Sequence, residues 1–167
     1  MTREIASIIM LAIAVIGLAL MVWGWRRRRR RDADVAVPLG ELVGEATATF
    51  SGLYVSTTRH DAPLDRIATP PLAFRAKVDI TVTTDGVGLS MPGETPVFLT
   101  AGHLVGAGRA TWTIDRVVER DGLVLVAWTD GTQILDTYLR LQESDPAALV
   151  AAIEQIAAAD TPTGAIR

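Results

Sequence analysis

Hydrophobic and polar positions divide the chain into two parts with different patterns. The 21 residues from Ile5 to Trp25 carry no formal charge, and Ser7 has their only side-chain hydroxyl. A helix of this length is about 31 Å long, close to the ~30 Å hydrocarbon thickness of a bilayer. Because a core helix of a soluble domain would show a polar face, this run predicts a transmembrane helix.

A cleaved signal peptide is the alternative interpretation of this run. The flank Thr2-Arg3-Glu4 is close to neutral, and the run is longer than the ~7–15 apolar residues of a signal peptide. No small-x-small cleavage site follows it; six arginines follow instead, which is typical of a stop-transfer signal. The sequence therefore favours a retained span.

The remainder of the chain mostly alternates apolar and polar residues between Gly-containing turns. This period of two predicts seven strands: Glu45–Thr58, two within Phe74–Met91, one near Thr95–Thr100, Arg109–Arg120, Leu123–Thr129 and Thr132–Leu141. Asp85-Gly86 predicts a tight hairpin in which both residues take positive φ, with further turns at Asp121-Gly122 and Asp130-Gly131. Gly52 marks a candidate bulge, and the glycines of Gly102–Gly108 predict a turn.

The end of the chain has a helical pattern instead. Ser144–Ala159 is rich in alanine, Asp145 is a suitable N-cap, and Pro146 suits the first helical position. An apolar stripe at helical spacing contains Leu149, Ile153, Ile156 and Ala157. Seven antiparallel strands and one carboxyl-terminal helix predict a pleckstrin-homology-like (PH-like) barrel or roll that the helix caps; another small β-barrel or roll with a terminal helix is the alternative.

These patterns together predict how the chain is organised. The expected parts are a short non-cytoplasmic amino terminus (1–4), a transmembrane helix (5–25), an arginine run (26–31), a linker (32–44), a PH-like domain (45–159) and a flexible tail (160–167).

Charge is distributed unevenly between the two parts of the chain. Residues 1–31 contain seven basic residues and one acidic residue, a net charge of +6, whereas residues 32–167 contain nine basic and 18 acidic residues, a net charge of −9. An acidic domain repels phosphate backbones, so no nucleic acid is expected as a partner. The chain has no cysteine, which excludes disulfides and thiolate chemistry.

The arginine run indicates a topology and a lipid contact. Positive charge beside a span is retained on the cytoplasmic side, so we expect the amino terminus outside and the domain in the cytoplasm of a single-pass cell-membrane protein. Tryptophan favours the headgroup level, and arginine attracts anionic lipids. The predicted membrane and lipid contacts are Trp23, Trp25, Arg26, Arg27, Arg28, Arg29, Arg30 and Arg31.

A polar stretch of 17 residues, Ser56–Leu72, predicts a long loop. Loops of this length are often functional or disordered, so this one is a candidate partner-binding loop; a salt-bridged, solvated loop is the plainer alternative. One histidine and two aspartates are a weak metal pattern, and we assign no metal. The candidate residues are Arg59, His60, Asp61, Asp65 and Arg66.

No catalytic or cofactor motif is present in the sequence. His103 has no nearby nucleophile or acid that completes a triad, so it is expected to be structural. The glycines of Gly102–Thr111 do not match a dinucleotide fingerprint and are followed by strand character. We therefore expect no enzyme activity and no cofactor.

Two further groups of residues have mainly structural interpretations. Trp112 and Trp128 lie on predicted strands and are expected to fill the core. A local basic patch would require convergence of Arg75, Lys77, Arg109, Arg116 and Arg120; scattered surface charge is the favoured interpretation.

Three stretches carry a resemblance to a known family: "GLYVSTTRHDAPLDRI", "PVFLTAGHLVGAGRATWTIDRVVERDGLV" and "DTYLRL". The chain resembles short actinobacterial membrane proteins with one amino-terminal span and a bacterial PH-like domain, a functionally uncharacterised family. The resemblance covers nearly the whole chain and implies no catalytic chemistry. Such proteins have been labelled transport or export proteins, but one span cannot form an alternating-access pathway alone.

The sequence thus favours a binding function. The leading hypothesis is a membrane-anchored adaptor or scaffold that recognises a protein partner, or an accessory subunit of a membrane assembly. The alternative is a sensor of anionic lipid headgroups through the PH-like domain. An association with transport or export is the less favoured third hypothesis.

Overall fold

The structure is a computed structural model that describes residues 3–110, 112–113, 116–117 and 122–160. The chain divides into two compact units, residues 1–34 and residues 35–167.

The first unit consists of one long helix and a short 3-10 helix. Helix α1 (Arg3–Arg31) has 29 residues and continues through the whole arginine run, and the 3-10 helix Asp32–Asp34 follows it. Its apolar residues are exposed, and α1 is long and apolar enough to cross a membrane or to act as a signal sequence. The predicted apolar helix is therefore confirmed.

The second unit is a β-sheet domain with one helix. Its strands are β1 (Ala46–Arg59), β2 (Ala62–Arg66), β3 (Ala76–Thr83), β4 (Gly86–Ser90), β5 (Val97–Thr100), β6 (Leu104–Ala110), β7 (Trp112–Thr113), β8 (Arg116–Val117), β9 (Leu123–Thr129) and β10 (Ile134–Leu141). Eight strands form one antiparallel sheet. Seven of them follow the order β5-β4-β3-β1-β10-β9-β6, and the eighth, β2, pairs with β1. Strands β7 and β8 form a separate two-stranded sheet. In the described part of the chain, no pairing of β5 with β6 closes the sheet.

The core combines buried side chains of the sheet with side chains of the carboxyl-terminal helix. Helix α2 (Pro146–Asp160) packs mainly on β6 and buries Leu149, Ile153 and Ile156. Asp145 caps it, since its Oδ1 accepts a hydrogen bond from the Ala147 amide at 2.9 Å. The predicted fold class, an antiparallel PH-like sheet capped by a carboxyl-terminal helix, is confirmed.

Close approach between strands explains two glycines that the sequence analysis assigned to other roles. Gly52 is not at a bulge, because the register of β1 with β10 shifts between Tyr54 and Ser56; a Cβ at Gly52 would lie 2.5 Å from the Arg140 carbonyl oxygen. Gly86 does not have positive φ either, and a Cβ there would lie 2.2 Å from the Leu99 carbonyl oxygen. The predicted hairpin between β3 and β4 is confirmed. The bulge at Gly52 and the positive φ at Gly86 were wrong, because the constraint at each glycine comes from a neighbouring strand.

Three predicted segments also differ from the structure. The expected long loop Ser56–Leu72 instead contains the end of β1 and the whole of β2. The glycine-rich segment expected as a turn forms β6, because the apolar strand β9 gives it a pairing partner. The expected strand Arg109–Arg120 is interrupted: its described residues form the end of β6 and the β7–β8 pair. The rest of that strand and Asp121 lie outside the described residues.

The segment before β1 runs along the edge of the sheet. The Gly40 amide donates to the Pro96 carbonyl at 3.0 Å, and the Phe98 amide donates to the Pro38 carbonyl at 2.9 Å. Leu39 forms an isolated β-bridge with Val97. These contacts protect the outer edge of β5, which would otherwise present unpaired backbone groups.

Substitution of Gly86 by alanine should destabilise the domain by about 1–3 kcal/mol, because the added methyl group would overlap the backbone of β5. Thermal unfolding of the full chain in detergent micelles, followed by circular dichroism, measures the loss. Gly108→Ala is the matched control, since no described atom lies within 4 Å of a Cβ at that strand position. Equal melting temperatures for the two variants would contradict the close-approach explanation.

Candidate functional site

The candidate residues lie at the tip of the β1–β2 hairpin. His60 and Asp61 form the turn between β1 and β2. Arg59, the last residue of β1, pairs with Ala62, the first residue of β2. Asp61 has a left-handed φ of 58°, a conformation that aspartate adopts more readily than most residues. The five residues expected in a loop are therefore brought together on a short hairpin.

Arg59 ties this tip to the neighbouring β9–β10 turn. Its Nε donates to Oε1 of Gln133 at 3.0 Å, and its Nη1 forms an ion pair with Asp65 at 3.1 Å. Gln133 Nε2 in turn donates to Oδ2 of Asp130 at 3.2 Å. The two hairpin tips are thus joined through side chains as well as through backbone pairing.

Asp130 holds the β9–β10 turn in place. Its Oδ1 accepts hydrogen bonds from the Thr132 amide at 2.8 Å, the Thr132 hydroxyl at 2.7 Å and the Gln133 amide at 2.9 Å. Burial acts to raise the pKa of Asp130, but these hydrogen bonds outweigh it and lower the pKa to about 2. The carboxylate is therefore ionised at neutral pH and stabilises the turn, in which Gly131 has a φ of 92°.

His60 forms the second link between the tips. Its amide donates to the Ile134 carbonyl at 3.0 Å, and its Nδ1 lies 3.0 Å from each carboxylate oxygen of Asp136. The Asp136 side chain is only 7% exposed. The hydrogen bond to Asp136 and the negative charge of that carboxylate raise the pKa of His60, with a smaller contribution from Asp61.

The hairpin tip exposes one acidic and one apolar side chain. Asp61 is 92% exposed, and Leu64 on β2 is 72% exposed. Arg66 points back into the domain and donates to the Val55 carbonyl at 3.3 Å. Leu64 was not predicted as a site residue, although an apolar residue within a polar stretch was a usable signal.

A buried chain of hydrogen bonds lies beneath the base of this hairpin. Trp128 Nε1 donates to the Thr137 hydroxyl at 2.9 Å, which lies 2.9 Å from the Thr57 hydroxyl. The Tyr54 hydroxyl lies 3.0 Å from that of Thr57 and 2.8 Å from the Leu72 carbonyl. Since a carbonyl only accepts, Tyr54 donates to Leu72 and Thr57 donates to Tyr54. Burial raises the pKa of Tyr54 to about 12, so the phenol stays protonated.

The arginine run is helical and forms the carboxyl-terminal end of α1. Successive helical residues are about 100° apart, so the arginines whose side chains the structure describes, Arg26, Arg27, Arg30 and Arg31, lie within about 140° of the helix circumference. The Arg27 guanidinium lies 5.7 Å from the centre of the Trp23 ring, and Arg31 Nε pairs with Asp32 at 3.1 Å. Nothing is described of the side chains of Arg28 and Arg29.

The other residues considered from the sequence have structural positions. His103 lies in the 3-10 helix Ala101–His103, where its Nδ1 is 2.8 Å from the Thr100 hydroxyl. Trp128 is buried in the core as expected, whereas the Trp112 side chain lies outside the described residues. Lys77 on β3 and Arg109 on β6 have three strands between them in the sheet order, so they do not form one patch. Among the described residues, no group of three or more acidic or histidine side chains could hold a metal ion.

An antiparallel sheet capped by a carboxyl-terminal helix is the architecture of the PH-like class. A family model described as bacterial PH domain-like matches residues 33–155. Because the match covers more than half of the chain, the protein belongs to this family. PH-like domains are generally modules that bind proteins or lipids and are not catalytic. A search of the curated proteins gives no match.

Replacement of Asp136 by asparagine should lower the pKa of His60 towards its ordinary value, because the hydrogen bond to the carboxylate and its charge are lost. NMR titration of the imidazole signals of the full chain in micelles measures this shift, and the chain has only two histidines to assign. Asp79→Asn is the control, since Asp79 bonds to Ser51 and not to His60. An unchanged His60 midpoint in Asp136→Asn would contradict the assigned pairing.

The same raised pKa has a consequence for stability. A folded pKa above the unfolded value of about 6.5 contributes stability that is fully present below that pH and is lost as pH rises through the folded pKa. The link between the two tips should therefore weaken towards alkaline pH in the native chain. Asp136→Asn should reduce this pH dependence.

Proposed function

We propose that this protein is a single-pass membrane protein that presents a PH-like binding domain at the cytoplasmic face. The apolar helix α1 supplies the anchor, and the arginine run that ends it supports the amino-terminus-out topology. The arginine run contacts anionic lipid headgroups beyond Trp23 and Trp25.

The ligand that we propose for the domain is a protein, bound at the β1–β2 hairpin tip. The observation that carries this proposal is the combination of a rigid backbone with an exposed tip. Arg59 and His60 fix the hairpin to the β9–β10 turn, while Leu64 and Asp61 project into solvent. A surface that is already ordered loses little conformational entropy on binding, so the domain is suited to partner recognition.

The charges at the tip favour a protein over an anionic headgroup. Arg59 is paired with Asp65, and Arg66 donates to the main chain of Val55, so neither forms part of an open basic pocket. Asp61 adds a nearly fully exposed negative charge, and residues 32–167 have a net charge of −9. An anionic-lipid sensor remains the second candidate, supported only by the general ligand range of PH-like domains.

Membrane attachment makes a modest affinity of the domain for its protein partner sufficient for binding. A domain held at the bilayer meets other membrane proteins at a high effective concentration, which replaces part of the binding energy. This setting suits an adaptor or an accessory subunit of a membrane assembly, including one involved in transport or export.

The proposed topology predicts a labelling pattern. Because the chain has no cysteine, single-cysteine variants carry one thiol each. In intact cells, a membrane-impermeant maleimide should label Thr2→Cys and should label Leu64→Cys only after permeabilisation. The reverse pattern, or labelling of both without permeabilisation, would contradict the cytoplasmic placement.

The proposed partner surface predicts position-dependent cross-linking. A photoreactive residue at Leu64 should give a discrete protein adduct in membranes of the native host, and one at the similarly apolar, exposed Val105 on β6 should not. Arg59→Gln, which removes the ion pair with Asp65, should reduce the Leu64 adduct about tenfold, corresponding to roughly 1.4 kcal/mol. Adducts of equal yield at both positions, or adducts to lipid alone, would overturn the assignment.

A further inference from the structure

The connection between the helix and the domain is very short. Helix α1 ends at Arg31, and four residues later Val35 is buried in the domain core at 5% exposure. Four residue steps of extended chain span roughly 14 Å at most. If α1 is in the membrane, the first residues of the domain therefore cannot move far from the bilayer surface.

The segment that follows Val35 is attached to the sheet by hydrogen bonds and is not a flexible linker. The hydrogen bonds of residues 38 and 40 attach it to the strand β5 region. Leu42 lies directly over Gly88 of β4, where a Cβ would come within 2.0 Å of the leucine side chain. Gly44 has a φ of 89°, and a Cβ there would lie 2.6 Å from the Thr84 hydroxyl.

This fixed segment nevertheless exposes several apolar side chains. Leu39, Leu42 and Val43 are 54%, 47% and 56% exposed, and they fall within five consecutive residues. Beside Leu42 lies a mostly apolar groove of about 310 Å³ whose lining includes Leu89 and Pro96. A cluster of large exposed apolar residues at a fixed place indicates an interaction surface.

We propose that Leu39, Leu42 and Val43, the juxtamembrane patch, form a second membrane contact at the headgroup–acyl boundary of the bilayer that holds α1. The inference rests on the proposed membrane anchor. Its occupant is lipid because Val35, at the start of the domain, is at most about 14 Å of chain from the last arginine of α1, and the segment that carries the patch follows Val35 directly and is attached to the sheet.

The charges around the patch set the depth of this contact. Glu41 lies between Leu39 and Leu42 in the chain, and Glu45 follows Val43. Carboxylates remain hydrated at a bilayer surface, so the apolar side chains enter only the interfacial layer while Arg26–Arg31 attract anionic headgroups. The patch thereby adds a shallow apolar contact to the electrostatic contact of the arginines.

The test uses the full chain in vesicles of phosphatidylcholine with and without phosphatidylglycerol. Single cysteines at Leu39 and at Val43 carry an environment-sensitive fluorophore, while Leu42 is left intact because it packs on Gly88. Leu18 in α1 is the buried-in-lipid control, and the exposed Leu64 is the solvent control. Labels at 39 and 43 should show blue-shifted emission and about twofold more quenching by brominated lipid than the label at 64.

Each of the other outcomes would overturn the proposed lipid contact. If the Leu18 label is quenched but labels at 39 and 43 behave like that at 64, the anchor stands and the juxtamembrane patch does not touch lipid. Blue-shifted emission at 39 and 43 without quenching by brominated lipid means that protein covers the patch, which also overturns the inference. An unquenched Leu18 label overturns the anchor, and the second contact falls with it. Circular dichroism of each labelled variant verifies that the domain remains folded.

Discussion

The architecture of the domain depends on one long strand that exchanges backbone partners along its length. The 14 residues of β1 pair with β3 from Ala46 to Tyr54, with β10 from Gly52 to Arg59, and with β2 at the end. Each change of partner must leave the backbone donors and acceptors satisfied. The strand is also held from inside by the hydrogen-bond chain that runs from Trp128 through Thr137, Thr57 and Tyr54. This chain lies within the core and links side chains of three strands, β9, β10 and β1.

The candidate site is a continuation of the same strand. Because β1 stays paired with β10 up to Arg59, the turn that follows is delivered beside the β9–β10 turn, where Gln133 and Asp136 meet Arg59 and His60. Partly buried polar pairs of this kind favour one conformation of the hairpin as well as adding to its stability. The hairpin can therefore expose Leu64 without becoming a flexible loop, which is the physical basis of the proposed partner recognition.

Charge and chain length give the two units complementary properties. In the proposed arrangement, the arginine run of α1 attracts anionic lipid, whereas the net negative charge of residues 32–167 is repelled by it. The short connection would keep the first residues of the domain near the bilayer despite this repulsion, and the proposed apolar contact of the juxtamembrane patch would offset part of it.

The sequence by itself determined the elements whose stability is local: the uncharged run Ile5–Trp25, helix α2 with its Asp145 cap, and the Asp130-Gly131 turn. Only the tertiary structure decided the features that need a partner distant in the chain. β2 forms because β1 lies beside it, Gly52 and Gly86 are required by the carbonyls of neighbouring strands, and Asp136 meets His60 across 76 residues. The candidate residues were identifiable from the sequence because they stand together in one polar stretch. The pairings that hold their hairpin were not, because a local pattern contains no information about which strands become neighbours.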